Sequence, residues 1–288
     1  MENGGMKKKT APEKMDAAEK KAAADGAGRC MRGTEQTEKG QKEQVYHTEG
    51  QDLTVFRSGL QALGIALSSR QEEQFLQYYE LLIQWNSFMN LTAITEFQEV
   101  MVKHFLDSLA IVKAWNPEDG AKVIDVGTGA GFPGIPLKIA FPELEITLLD
   151  SLNKRVKFLD TVIETLGLQG IRAVHGRAEE LVKQPGEREG YDLAVSRAVA
   201  NLSTLSEYCL PYVKVGGLFL PYKSGKVEQE LAEAEKALKV LGGQWERPVY
   251  FTLEGTDMER SLIPVRKGKH TPKQYPRKAG TPGKSPIQ

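Results

Sequence analysis

In AKVIDVGTGAGFPGIPL, Ala121 to Leu137, a short apolar strand meets a carboxylate, then a rapid series of glycines, then a helix start. Val123, Ile124 and Val126 suit a strand buried on both faces. Asp125 then stands near the carboxyl end, where open α/β sheets place their ligands. Gly127, Gly129 and Gly131 remove three side chains within five residues, so the backbone can turn sharply and approach a ligand closely. Pro136 fits an early helical position, where a missing amide donor does little harm.

The next strand is EITLLD, Glu145 to Asp150, and its terminal Asp150 has the spacing of a ribose-binding carboxylate. Two nucleotide readings compete. Gly129 to Gly134 formally matches the dinucleotide pattern GxGxxG, while Asp125 to Gly131 reads DxGxGxG, the first motif of class I methyltransferases. A carboxylate at the strand tip repels a pyrophosphate but suits the cationic sulfonium and amino groups of S-adenosyl-L-methionine, directly or through water. The balance favours adenosylmethionine, with a dinucleotide or a purely structural turn as the other readings.

After Lys122, strands are expected near 122 to 127, 145 to 150, 171 to 175, 191 to 196 and 217 to 222, with helices between them. The amphipathic segments Asn153 to Leu166 and Val227 to Leu241 are long enough to cover a sheet face. This is an α/β pattern, a Rossmann-like, mostly parallel sheet with helices on both faces. Trp245 to Leu253 and Ser261 to Val265 would close it with a hairpin. Residues 51 to 116 form a helical extension. Leu53, Phe56, Leu60 and Leu63 make one stripe, and Phe75, Leu76, Tyr79, Leu82, Ile83 and Trp85 a second; Ser68 and Ser69 are N-cap candidates. A third helix runs from Glu96 to Ala114.

Further motifs narrow the reading: WNSFMNLTAI from Trp85, KHFLDSL from Lys103, GRAEEL from Gly176, VSRAVA from Val195 and KQYPRKAGTP from Lys273. With DVGTGAGFPGIPL they resemble the ribosomal RNA small subunit methyltransferase G family, also called glucose-inhibited division protein B, over about Asp52 to Lys284. The Phe-Pro-Gly continuation is more specific than the glycines. The resemblance implies a class I methyltransferase core over 117 to 267 that uses adenosylmethionine to methylate ring nitrogen 7 of one guanine in small-subunit (16S) ribosomal RNA. The RNA would be presented within an assembled or assembling subunit.

That nitrogen carries an in-plane lone pair and loses no proton when attacked, so neither a general base nor a metal is expected, and positioning dominates. Arg197, after the fourth strand, is the leading substrate-side residue; an arginine paired with a core carboxylate is the alternative. Cofactor contacts are expected from Asp125, Gly127, Gly129, Phe132, Asp150, Ser151, Ala178 and Glu179, with Arg197 beside the methyl. His104, Arg177, Lys223 and Lys226 are weaker RNA-binding candidates, and His104 with Asp107 could equally be a local structural pair.

The 288 residues carry a formal net charge of zero and 40% hydrophobic content, enough for one large domain with appendages. Charge placement says more than the total. Arg266, Lys267, Lys269, Lys273, Arg277, Lys278 and Lys284 occur without an acidic residue between them, so 268 to 288 reads as a basic, flexible tail able to contact phosphates. Residues 1 to 50 hold few large apolar side chains and are expected to be disordered. They carry no apolar run long enough for a signal peptide or membrane span, so a cytoplasmic protein is expected, taken as a monomer. Cys30 and Cys209 suggest neither a disulfide framework nor a zinc site. Two other function classes stay open: a noncatalytic RNA-binding ribosome assembly factor, and a nicotinamide-dependent oxidoreductase.

Overall fold

The computed structural model describes residues 50–197 and 200–288. Cys30 and the expectation of disorder over 1 to 50, apart from Gly50, lie outside the described residues. Five strands form the parallel part of the sheet: β1 (Lys122–Val126), β2 (Glu145–Asp150), β3 (Ile171–His175), β4 (Tyr191–Arg197) and β5 (Val213–Ser224), in the order β3-β2-β1-β4-β5. The chain reverses its direction of travel across the sheet between β1 and β4, so a crevice opens outside their carboxyl ends.

Antiparallel strands complete the edge. β7 (Val249–Thr252) and β8 (Glu259–Leu262) form the expected hairpin, and β8 pairs with β5. Two short strands, β6 (Gly243–Trp245) and β9 (Val265–Lys267), pair with each other while β9 also pairs with the middle of β5 at Leu218 and Phe219.

Two apolar clusters lie on opposite sheet faces, as the alternation of strand side chains requires. On one face Val123, Ile146, Leu148, Leu193 and Leu220 meet the N-terminal helices together with α5 (Gly134–Ala140) and α6 (Asn153–Thr165). On the other, Ile124, Val126, Ala194 and Phe219 meet α7 (Ala178–Leu181), α8 (Leu202–Cys209) and α9 (Glu228–Leu241). Residues 51 to 116 therefore share a core with the sheet. Cys209 is fully buried, and burial pushes its thiol well above the ordinary range.

Helix α1 (Thr54–Ala62) buries Phe56 and Leu60. Helix α2 (Ser69–Met89) opens with a capping box between Ser68 and Gln71, as its sequence suggests. Its buried stripe is Phe75, Tyr78, Leu81, Leu82 and Met89, rotated from the expected one, because Tyr78 rather than Tyr79 faces the sheet. The third helix is one run of changing pitch: α3 (Phe97–Val100), a π-helical segment Met101–Leu106, α4 (Asp107–Leu109) and a 3-10 turn Ala110–Lys113. π-Segments are uncommon and concentrate at functional sites.

Residues 268 to 288 correct the expectation of a free basic tail. Arg277 grips the buried Glu207 carboxylate, with Nη2 to Oε2 at 2.6 Å, and Arg188 donates to the carbonyls of Thr271 and Tyr275. Lys267 is fully buried and donates to the Leu210 carbonyl and to Thr271. Burial lowers its ammonium to about 8, against the opposing pull of Glu189. A short helix, α10 (Thr281–Lys284), ends this strap. Charge counting missed that three of the seven basic residues have fixed carboxylate partners: Arg266 with Glu246, Lys267 with Glu189, and Arg277 with Glu207.

Candidate active site

The glycines between β1 and α5 do different work. Gly127 and Gly129 have positive φ of 75° and 63°, and a Cβ on either would project into open space. Gly131 and Gly134 are closed in. A Cβ on Gly131 would meet Ile135 at 2.5 Å, and one on Gly134 would meet Leu148 at 2.2 Å. The first pair opens the backbone toward the crevice, while the second lets the loop settle onto the sheet.

Asp125 organises that settling. One carboxylate oxygen accepts from Thr128 Oγ1 at 2.7 Å and from the Gly134 amide at 2.9 Å; the other is buried without a partner among the described residues. Burial raises this carboxyl to about 6, and the two hydrogen bonds pull the other way. A carboxylate facing the ligand was the expectation, but Asp125 is fully enclosed behind the loop. It would act on a bound cation through its field and through the loop it ties.

A crevice of about 250 Å3 lies beside Gly127, walled by Asp150, Ser151, Arg155, Gly176, Arg177, Ala178, Glu179 and Tyr208. Asp150 Oδ2 accepts from the Gly129 amide at 3.0 Å, and Oδ1 accepts from the Leu152 amide at 2.9 Å. This carboxylate joins the end of β2 to the glycine loop. Glu179 lines the same crevice, yet its Oε1 accepts from the Gly280 amide at 2.8 Å, so its carboxylate also anchors the C-terminal strap.

At the other side of the switch point Arg197 ends β4. Its Nη1 lies 3.2 Å from Asp107 Oδ2 and 3.2 Å from the His104 carbonyl, which the π-helical segment presents. The guanidinium stands 4.8 Å from the centre of the Phe132 ring, and the His104 ring stacks on that ring at 4.5 Å. Phe132 is 6% exposed and also packs against Tyr78 and Phe105, so it supports the site from within and does not wall the crevice. Asp107 Oδ1 meanwhile accepts from Arg260 Nε at 2.9 Å. Two guanidinium groups share one buried carboxylate, leaving one net positive charge.

His104 is neutral here. A guanidinium has only donors, so Arg197 Nη2 at 3.3 Å makes Nδ1 the acceptor and leaves the proton on Nε2, which donates to Thr92 Oγ1 at 2.8 Å. Burial first, and Arg197 second, lower this imidazole to about 3. His104, a weaker RNA-binding candidate from sequence, thus has both ring nitrogens engaged, by Arg197 and by Thr92.

Lys223 is corrected likewise: it pairs with Glu230 at 2.6 Å and donates to the Ala200 carbonyl, which leaves its side chain 12% exposed. Arg177 and Lys226 are exposed. The structure thus gathers Gly127, Gly129, Asp150, Ser151, Ala178 and Glu179 on one side and Arg197, His104 and Phe132 on the other. The sequence reading did not single out Tyr78, Thr92, Thr128, Arg155 or Arg260 for the site. Only the spacing of Thr128 from Asp125 carried a local signal.

A family model described as rRNA small subunit methyltransferase G matches residues 71–259. The chain belongs to that family. It is 58% identical to the ribosomal RNA small subunit methyltransferase G of Lachnoclostridium phytofermentans over 82% of this chain and 98% of that protein. The protein of the same name from Alkaliphilus metalliredigens is 51% identical over 81% and 98%. That from Bacillus velezensis is 49% identical over 82% and 99%. These matches cover about four fifths of this chain, so the family likeness extends well beyond the glycine motif.

Proposed function

We propose that the protein transfers the methyl group of S-adenosyl-L-methionine to ring nitrogen 7 of a guanine in small-subunit (16S) ribosomal RNA. The observation that carries this reading is an open, glycine-walled crevice next to a fixed guanidinium at the end of β4. Bound there, adenosylmethionine supplies an electrophilic methyl on a sulfonium.

The residues fit that group. Gly127 and Gly129 leave room for its amino acid portion, Asp150 stands where a ribose would offer hydroxyl groups, and Ser151, Ala178 and Glu179 flank the place of a base. Asp125 and Asp150 contribute negative potential suited to a sulfonium and unsuited to a pyrophosphate, which disfavours the dinucleotide oxidoreductase.

On the substrate side, the Arg197 and Arg260 pair on Asp107 offers a net cation for a phosphate or for the guanine 6-oxo group. Its orientation is fixed by Asp107, the His104 ring and the π-helical carbonyls. Holding the nucleophile, the methyl and the departing sulfur in line is worth about 7 to 11 kcal/mol in well-oriented systems. A neutral His104 adds no competing charge beside Arg197. The target guanine must be unstacked to enter, which favours an accessible loop of the assembled or assembling subunit. The reading takes the enzyme to act as a monomer in the cytoplasm, where the subunit is found.

The test is to incubate the protein with methyl-labelled adenosylmethionine and, separately, naked ribosomal RNA, small subunits and whole ribosomes, then map the label. Transfer to one guanine with the cleavage chemistry of 7-methylguanine is expected. Label on an exocyclic amine, a ribose or a pyrimidine carbon would overturn the assignment, as would no label in any of the three. A noncatalytic assembly factor would bind subunits and leave all of them unlabelled.

A further inference from the structure

The carboxyl end of α2 carries the most exposed large apolar side chain among the described residues. Phe88 is 66% exposed, and its ring lies 5.4 Å from Trp85, which packs in turn on Phe158 of α6 at 5.6 Å. The two helices run antiparallel: Gln74 donates to the Leu166 carbonyl, and Trp85 meets Phe158 further along. One more turn of α2, about 5.4 Å, therefore brings Phe88 level with the first turn of α6.

That turn borders the crevice. It follows Asp150 and Ser151, and its Arg155 lines the crevice wall. Leu152, 43% exposed, is the second apolar group at this corner. Lys154 and Lys157 are exposed there and have no ion pair among the described residues. After Phe88 the chain continues through Thr92 to the hydrogen bond with His104, so residues 85 to 92 skirt the rim from α6 to the Arg197 cluster.

We propose that Phe88, backed by Trp85, is a stacking platform for a single-stranded RNA base near the target guanine, with Lys154 and Lys157 holding the adjoining phosphates. The proposal rests on the RNA substrate assigned above. Single-stranded RNA is read through unstacked bases laid on aromatic rings, and a ring flanked by free lysines suits both parts of a nucleotide. A protein partner fits less well. A stable protein interface needs about 1,000 Å2 with an apolar centre, and here two apolar side chains sit among lysines and polar groups.

The test compares Phe88→Ala, Phe88→Leu and Phe88→Trp with the unaltered protein in methyl transfer to small subunits, alongside adenosylmethionine binding and thermal unfolding. Phe88→Ala and Phe88→Leu should raise KM for the subunit about 5-fold or more, with kcat, cofactor affinity and unfolding temperature unchanged, and Phe88→Trp should restore KM. Lys154→Glu combined with Lys157→Glu should flatten the salt dependence of KM. Phe88→Leu performing as well as Phe88→Trp would assign the ring to an apolar protein contact and overturn the platform. An unchanged KM in Phe88→Ala would overturn it too. Transfer by the unaltered protein in the same assay separates these failures from failure of the enzyme assignment.

Discussion

The hydroxyl of Tyr78, in the middle of α2, donates to the Ala130 carbonyl at 2.5 Å across 52 residues of sequence. It is a direct hydrogen-bonded tie between the N-terminal helices and the glycine loop. Burial pushes its phenol well above the ordinary value, so it remains a donor throughout the working pH range. Tyr78→Phe leaves a buried carbonyl without its partner, a loss of about 1–3 kcal/mol. A lower unfolding temperature and weaker adenosylmethionine binding by calorimetry are expected together. Unaltered binding would detach the loop's shape from α2.

Gly127→Ala and Gly134→Ala should fail in different ways. At Gly127 the new methyl enters open space, with only the positive φ of 75° opposing it, a strain of about 1–2 kcal/mol. Stability should fall slightly, and adenosylmethionine affinity should fall much more. At Gly134 the methyl would meet Leu148 at 2.2 Å and Asp125 at 3.0 Å, so the larger loss should be in folding. Chemical denaturation beside calorimetry distinguishes the two, and equal stability losses would refute the division of labour among the glycines.

His104 and Asp125 give opposing pH dependences. The folded His104 titrates at about 3 and the unfolded one at 6.5, so the unfolded chain binds the extra proton and stability is lost as pH falls below 6.5. Asp125 titrates at about 6 when folded and at 3.8 when unfolded, so between those values the folded chain holds more proton and stability rises as pH falls. The effects partly offset. Relative to the unaltered protein, His104→Gln should gain unfolding temperature as pH is lowered from 6.5, and Asp125→Asn should lose it from about 6. Parallel profiles for all three proteins would count against both assignments.

The Arg277 and Glu207 pair should be asymmetric. Glu207 is fully buried, so Arg277→Ala strands a carboxylate and costs about 3–5 kcal/mol. Arg277→Met combined with Glu207→Leu removes both charges and should cost less than Arg277→Ala alone. Urea unfolding of the variants measures this, and an additive double variant would show that the two side chains are not coupled.

Local pattern made the sheet and the glycine-walled crevice legible. Val123 to Val126, the four glycines and Asp150 lie within 30 residues, and each has a role set by backbone geometry or strand alternation. Tyr78 was missed because Tyr78 and Tyr79 satisfy helical spacing almost equally, and only tertiary packing chooses between them. Arg197 was legible as an arginine after β4. Its partners were not, since Asp107 lies 90 residues earlier and binds Arg260 from 153 residues later. The basic run from Arg266 misled for the same reason: Arg266, Lys267 and Arg277 are answered by Glu246, Glu189 and Glu207, which charge counting within a window never sees.

The hydrogen bond from Gly280 to Glu179 has a consequence for biosynthesis. A ribosome translating this message releases β1, β2 and their glycine loop long before it reaches Gly280. The nascent polypeptide can therefore pair its first strands early while one flank of the crevice beside Gly127 waits for the final stretch to dock. Proteolytic trimming before that residue would return a mature molecule to the same unfinished condition.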